Sequence, residues 1–128
     1  MGKLSHLCPC GSGTPYAACC GPLHAGEKNA ATAEALMRSR YAAYVLKRDD
    51  YLRATWHVST RPDDLDLAAD GSKWLGLEVR AHRQLDATHA SVEFVARYRI
   101  AGRGHRLHEL SRFVLDEGRW FYVDGDLR

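Results

Sequence analysis

The sequence contains no apolar run that approaches the roughly 20 residues needed for a transmembrane helix. Its first ten residues, MGKLSHLCPC, lack the apolar core of a secretory signal. Positive and negative charges nearly balance, because the formal net charge is only +2. This balance gives no strong attraction to nucleic acid or to an anionic membrane. With 45% hydrophobic and 27% charged residues, we expect a folded protein of the cytoplasm.

Cysteine is absent after residue 20, and the stretch LCPCGSGTPYAACCG contains all four cysteines, namely Cys8, Cys10, Cys19 and Cys20. A disulfide between two adjacent cysteines would distort the intervening peptide, and a reducing cytosol disfavours crossed disulfides between the two pairs. Four thiolates in two close pairs instead match a structural, tetrahedral Zn²⁺ site. Reactive or redox-active thiols are the alternative, and His24 is an alternative ligand in place of Cys19 or Cys20.

The cysteine segment is too short to bury a core of its own, and metal binding can supply about 10 kcal/mol of folding free energy to such a segment. Gly11 and Gly13 suit a turn after Cys10. Gly21 and Pro22 then end the unit. If protein ligands fill all four positions, the site is closed, and a closed site builds structure rather than activating water.

The stretch CPCGSGTPYAACCG resembles the SEC-C zinc motif, a short element found at the C-terminus of the SecA preprotein translocase ATPase and in many small bacterial proteins. The resemblance implies that the four cysteines bind Zn²⁺ and that the motif docks to a protein partner or to the ribosome. Family members commonly carry lysines just before the last cysteine pair, where this chain has TPYAA. Because that basic surface is missing, we expect a protein partner rather than the ribosome or a nucleic acid.

Two helices are predicted after the cysteine segment. The stretch ATAEALMRSRYAAYVLKRDD is rich in helix formers and places apolar side chains at helical spacing, at Met37, Tyr41, Tyr44 and Val45. Thr32 or Asn29 is predicted to cap this helix. Asp49 or Asp50 is predicted to cap a shorter helix, DDYLRATWHV.

The stretch STRPDDLDLAADGSK follows and predicts a solvated loop. Its acidic residues do not form a calcium-binding EF-hand, because the twelfth position counted from Asp64 is Leu75 rather than Glu.

From Trp74 onward the apolar period changes to two, which predicts strands. Four segments follow, WLGLEVRAH, HASVEFVARYRI, HELSRFVLDE and RWFYVDG, separated by hairpin turns. In the first segment one face is predicted to carry Leu75, Leu77, Val79 and Ala81. Helices followed by an antiparallel meander predict an α+β fold, in which the helices pack on one face of a curved sheet.

This second part resembles the UPF0225 (YchJ-like) proteins in LMRSRYAAYVLKRDDYLRATWH, VEFVARY, HELSRF and GRWFYVDG. Together with the cysteine segment, the resemblance runs from about Cys8 to Gly125. It implies a SEC-C zinc-binding motif in residues 1–24 and an NTF2-like (cystatin-like) α+β cone in residues 25–128. It implies no established activity.

NTF2-like cones often hold a pocket between helix and sheet, so polar side chains that point inward are candidate site residues. If Phe113 faces the core, Glu109 faces inward with it, and a buried carboxylate needs a partner. Arg38 or Arg40 would give Glu109 a structural ion pair, whereas His57 would give it an acid–base pair. The candidate pocket or structural network comprises Arg38, Arg40, His57, Glu109 and Arg112, and no residue is assigned as catalytic.

We therefore predict a zinc-binding interaction or adaptor protein that docks to a protein partner. Its α+β domain is predicted to have a pocket for a small ligand and an open sheet face suited to a homodimer. A small enzyme that uses His57 and Glu109 is the second interpretation. Ribosome or nucleic-acid binding through the zinc module is the third.

Overall fold

The computed structural model describes residues 7–63 and 71–128. The N-terminal module contains a 3₁₀ turn at Tyr16–Ala18 and helix α1 at Cys20–His24, and helices α2 (Ala33–Leu46) and α3 (Asp49–Ala54) follow. The strands are β1 (Lys73–Gln84), β2 (His89–Ile100), β3 (Arg103–Asp116) and β4 (Arg119–Leu127). They form one antiparallel sheet in the order β1-β2-β3-β4, which confirms the predicted α+β meander. Residues 64–70 of the predicted acidic loop lie outside the described residues.

The residues at the ends of α2 and α3 match the predicted caps only in part. Thr32 caps α2 as predicted, since its side chain accepts a hydrogen bond from the Ala35 amide at 3.0 Å. Lys47 ends the helix in the left-handed conformation. The predicted cap of α3 is wrong, because Arg48 takes the N-cap position and Asp49 and Asp50 lie in the first turn. There the carboxylates still favour the helix, because they face the positive end of its dipole.

The core lies between α2 and one face of the sheet. Its buried cluster includes Leu36, Met37, Tyr41, Val92, Phe94, Phe113 and Trp120. Phe113 therefore faces the core, which is the condition under which Glu109 was expected to face inward with it. We call the opposite face, which carries the alternate residues of these strands, the outer face.

Strand β1 departs from the predicted alternation. The register is shifted between Trp74 and Gly76 and again between Val79 and Ala81. Such bulges move the residues beyond them to the other face of a sheet. Ala81 consequently lies opposite Glu93 on the outer face, and the prediction that it shares a face with Val79 is wrong.

In residues 7–63 and 71–128, none of the helices is long and apolar enough to cross a membrane.

Candidate metal centre and helix–sheet cavity

The first cysteine pair lies in a tight loop. The Cys8 amide donates to the Thr14 carbonyl at 2.9 Å, and the Gly11 amide donates to the Cys8 carbonyl at 3.3 Å. Gly11 and Gly13 have φ angles of 83° and 81°, in the left-handed region that glycine adopts without steric cost. The turn that the glycines predicted after Cys10 is therefore present.

The second pair lies where the 3₁₀ turn meets α1. Cys19 takes the N-cap position, and Cys20 is the first residue of the helix. The Cys19 amide donates to the Tyr16 carbonyl at 3.0 Å. This junction directs both cysteines toward the loop that carries the first pair.

The four Sγ atoms all lie within 4.8 Å of one another. Cys19 Sγ is 3.6 Å from Cys10 Sγ and 3.9 Å from Cys20 Sγ. Four sulfurs at about 2.3 Å from a shared tetrahedral ion are about 3.8 Å apart. The cluster therefore could hold a metal ion, and all four cysteines are unbridged.

The thiols are strongly coupled to each other. Hydrogen bonding with Cys20 lowers the pKa of Cys10 to about 4. The same contact, together with burial, raises the pKa of Cys20. A metal cation would remove the opposition between the two coupled thiols, because it binds both as thiolates and displaces their protons. Ser12 Oγ lies 3.2 Å from Cys19 Sγ and adds a polar contact to the half-buried member of the cluster.

His24, the alternative ligand, has both ring nitrogens in other contacts. Its Nε2 lies 2.8 Å from the Ser39 carbonyl and must donate to it, and its Nδ1 lies 2.7 Å from the Tyr16 hydroxyl. Burial lowers the pKa of His24, which favours the neutral ring. Ser39 Oγ in turn lies 2.7 Å from the Tyr51 hydroxyl. The ring thus belongs to a polar network that joins α1, α2 and α3, which sequence reasoning missed because its members are far apart along the chain.

The N-terminal cysteine module packs on one side of α2. Ala42 lies in the same buried cluster as Cys8, Cys10 and Cys20. Arg38 donates from Nη1 to the Cys10 carbonyl at 3.0 Å. Its Nε donates to Glu34 at 3.1 Å. Arg38 therefore holds the cysteine loop against the helix, and it is not a partner of Glu109.

A cavity of about 170 Å³ lies on the other side of α2, against the sheet. Arg40 lines it and is only 5% exposed. Its Nη1 donates to the Leu52 carbonyl at 2.9 Å and to Thr55 Oγ1 at 2.7 Å. The guanidinium carbon lies 4.6 Å from the ring centre of Tyr122 and 5.1 Å from that of Trp56. Burial lowers the pKa of Arg40, but a guanidinium remains charged in proteins.

Glu109 lines the same cavity, as its predicted inward direction requires. Its Oε2 accepts hydrogen bonds from Ser111 Oγ at 2.6 Å and from the Tyr122 hydroxyl at 3.4 Å. Arg40 faces the same space but directs its hydrogen bonds to Leu52 and Thr55 instead. The structure therefore brings Arg40 and Glu109 together around a cavity without the direct ion pair that the sequence suggested.

The predicted pairing of His57 with Glu109 is wrong. The amide of His57 donates to the Tyr122 carbonyl at 2.8 Å, which fixes His57 at the edge of the sheet. Its Nε2 lies 2.9 Å from Asp116 Oδ2 and its Nδ1 lies 2.7 Å from Ser59 Oγ. No sequence period predicts where the chain crosses the sheet edge after α3, so the side chain's direction was not foreseeable.

Arg112 is also outside the cavity. It follows the inward-facing Ser111 and therefore points to the outer face. There it donates to Asp124 at 2.6 Å and to Asp126 at 2.8 Å. These two carboxylates raise the pKa of Arg112. Both partners come from β4, which sequence alternation alone did not pair with it.

Comparison with known proteins identifies both parts of the chain. A family model described as the YchJ middle NTF2-like domain matches residues 32–125, and the SEC-C motif matches residues 6–22. A UPF0225 protein of Cupriavidus metallidurans is 61% identical over 127 residues, covering 94% of this chain and 89% of the relative. One from Ralstonia nicotianae is 60% identical over 131 residues, covering 94% and 90%.

Two solved structures share the fold and both are described as SEC-C motif containing proteins. The solution structure from Rhodopseudomonas palustris has a TM-score of 0.84 and 42% sequence identity, covering 93% of this chain and 96% of that one. The crystal structure from Psychrobacter arcticus has a TM-score of 0.77 and 35% identity, covering 94% and 82%. The chain belongs to the UPF0225 family, with a SEC-C motif ahead of an NTF2-like domain.

Proposed function

We propose that the protein is a zinc-binding adaptor of the cytoplasm, in which a structural Zn²⁺ holds the N-terminal module against α2. The observation that supports this most directly is the cluster of four Sγ atoms within 4.8 Å of one another. Thiolate sulfur is a soft ligand, and a tetrahedral set of four suits Zn²⁺ or iron. Four protein ligands leave no open position for water or substrate, so the metal serves structure and docking.

Metal analysis tests this proposal first. Native mass spectrometry should find one zinc ion per chain, and four thiols should become reactive only after chelation. The Cys10→Ser variant should lose the zinc, whereas Ser12→Ala, which keeps all four sulfurs, should retain it. Iron in place of zinc would refute the metal assignment. Metal-free protein with freely reactive thiols would refute metal binding by the four cysteines altogether.

The outer face of the sheet is the surface that we propose for the protein partner. Leu85 on it is 58% exposed, and a shallow depression there joins Leu85 to Leu110, Arg83 and Arg112. Apolar side chains together with arginines are a composition favoured in protein interfaces. Charge reversal by Arg83→Glu should release a captured partner, while the control Lys28→Glu, outside this face, should not. A partner retained equally by both variants would contradict this surface.

A second copy of the chain is the other occupant that the outer face could take. Light scattering at rising protein concentration detects a homodimer directly. Dissociation of that dimer by Arg83→Glu would assign the face to self-association instead of a different protein.

A ligand-binding role for the NTF2-like domain is the second candidate function, and the cavity between α2 and the sheet supports it. The space of about 170 Å³ combines apolar walls with two opposite charges at fixed positions. Small-molecule sites typically have this composition.

A further inference from the structure

The cavity between α2 and the sheet has walls that are mainly aromatic. Its lining includes the rings of Tyr41, Tyr44, Trp74, Phe94, Phe113 and Tyr122. Aromatic walls favour planar ligands, because rings stack or pack edge to face against them. A dry cavity of about 150 Å³ is known to accept benzene. A space of about 170 Å³ therefore fits one ring or two small fused rings.

The charges around the cavity balance. Arg40 supplies one positive charge and Glu109 one negative charge to the same lining. A charged ligand would disturb this balance in a space whose lining is mainly apolar, and an uncompensated charge there is costly. A ligand without net charge is consequently favoured.

The polar groups differ in what they still offer to a ligand. Arg40 directs its Nη1 to Leu52 and Thr55, neither of which lines the space. Glu109 Oε2 accepts from Ser111 and Tyr122, whereas Oε1 receives no hydrogen bond from any residue within 7–63 or 71–128. An ionised carboxylate only accepts hydrogen bonds. Oε1 can therefore accept a hydrogen bond from a donor on a bound ligand.

We propose that the cavity binds a small neutral aromatic molecule whose N–H or O–H group donates a hydrogen bond to Glu109 Oε1. This inference rests on the ligand-binding role proposed above and is independent of the metal. It assigns Glu109 as the residue that selects among aromatic molecules of the same size. The aromatic walls supply affinity without that selection.

Indole and benzofuran test the inference as a matched pair, because they have nearly the same shape and only indole carries an N–H donor. Calorimetric titration of the full-length, metal-loaded protein should show indole binding at least about tenfold more tightly, as expected for a hydrogen bond to a charged acceptor. Replacing Glu109 by methionine removes the acceptor at similar length. In E109M the preference should fall to about twofold or less.

Glu93→Met is the matched control. Glu93 is a half-buried carboxylate on the neighbouring strand, but it lies on the outer face, where it accepts a hydrogen bond from His108. This variant should keep the full preference for indole. A second variant, Ala96→Leu, extends a side chain that lines the cavity and should abolish binding of both probes. Circular dichroism establishes that each variant is folded.

Three results would overturn the inference. Equal affinity of wild type for indole and benzofuran would refute the donor requirement while leaving the cavity as a binding site. No binding of either probe to wild type would refute the ligand-binding role itself. Undiminished binding to folded Ala96→Leu would show that the probes bind elsewhere.

Discussion

Substitution of Arg40 by alanine is expected to destabilise the protein by about 3 to 4 kcal/mol. Two hydrogen bonds from the guanidinium would be lost, each worth about 1.5–3 kcal/mol when the donor is charged. The contacts with the rings of Tyr122 and Trp56 add about 1–2 kcal/mol when they are desolvated. Relief of the buried charge offsets several kcal/mol of this sum. The net loss still includes the cost of leaving the Leu52 carbonyl without its shorter hydrogen bond, the one from Arg40 at 2.9 Å, so that among the described residues only Thr55 Oγ1 at 3.4 Å still donates to it.

Comparison with methionine separates packing from hydrogen bonding. Arg40→Met refills the space of the side-chain stem but leaves the Leu52 carbonyl with the longer hydrogen bond from Thr55 Oγ1 at 3.4 Å, so we expect a loss of about 2 kcal/mol. Arg97→Met, at an exposed position of the outer face, should change stability by less than about 0.5 kcal/mol. Urea denaturation at pH 7, monitored by circular dichroism, gives the free energies of unfolding of the wild type and of the three variants.

The outcome that would refute this reasoning is specific. If folded Arg40→Ala loses less than about 1 kcal/mol, the buried guanidinium contributes little beyond its own desolvation cost. If Arg40→Met is as stable as wild type, hydrogen bonding to Leu52 and Thr55 does not stabilise the helix pair. In either case Arg40 would not be the residue that joins α2 to α3.

Three further perturbations follow from the contacts described. Burial keeps the pKa of His24 below its ordinary value of 6.5, so the unfolded chain gains a proton first as the pH falls. The free energy of unfolding should therefore decrease below about pH 6.5, by at most about 1.4 kcal/mol per pH unit. Equal shifts of the urea midpoint between pH 7.5 and 5.5 in wild type and in His24→Asn would contradict this. Gly125→Ala should cost about 1–3 kcal/mol, because a Cβ there would overlap the carboxylate of Glu109 on β3. The control Gly104→Ala meets no atom of the described residues within 4 Å and should be near neutral in the same denaturation assay. If the site binds zinc as proposed, Arg38→Ala should weaken zinc binding about tenfold in a chelator competition, because the Cys10 carbonyl loses the hydrogen bond from Arg38. Unchanged zinc affinity would show that Arg38 does not position the cysteine loop for the metal.

The fold was predictable because its signals are local. Thr32, the helical spacing of Met37 and Tyr41, and the alternation in β2 and β3 each depend on a few neighbouring residues. The meander also needs only short hairpin turns between consecutive strands. The failures lie where a local rule competes with tertiary structure, as at the bulges of β1 and at the cap of α3.

The cysteine cluster was predictable for the same reason, and the cavity was only partly so. All four cysteines lie within 13 residues, so their spacing alone suggests a shared site. Glu109 was placed inward by its alternation with Phe113. Its neighbours were not foreseeable, because the direction of His57 and the partners of Arg112 depend on contacts between segments that are distant in sequence.

The geometry of α2 explains why the sequence did not assign separate contacts to Arg38 and Arg40. Residues two apart on an α-helix differ by about 200° in direction, so they face nearly opposite sides. Arg38 faces the cysteine loop and Arg40 faces the cavity. A helix packed on both sides lacks the single apolar face from which roles are usually read. The cysteine module and the cavity thus share one helix. Its two arginines, which the sequence made alternatives for a single contact with Glu109, contact the two sites separately.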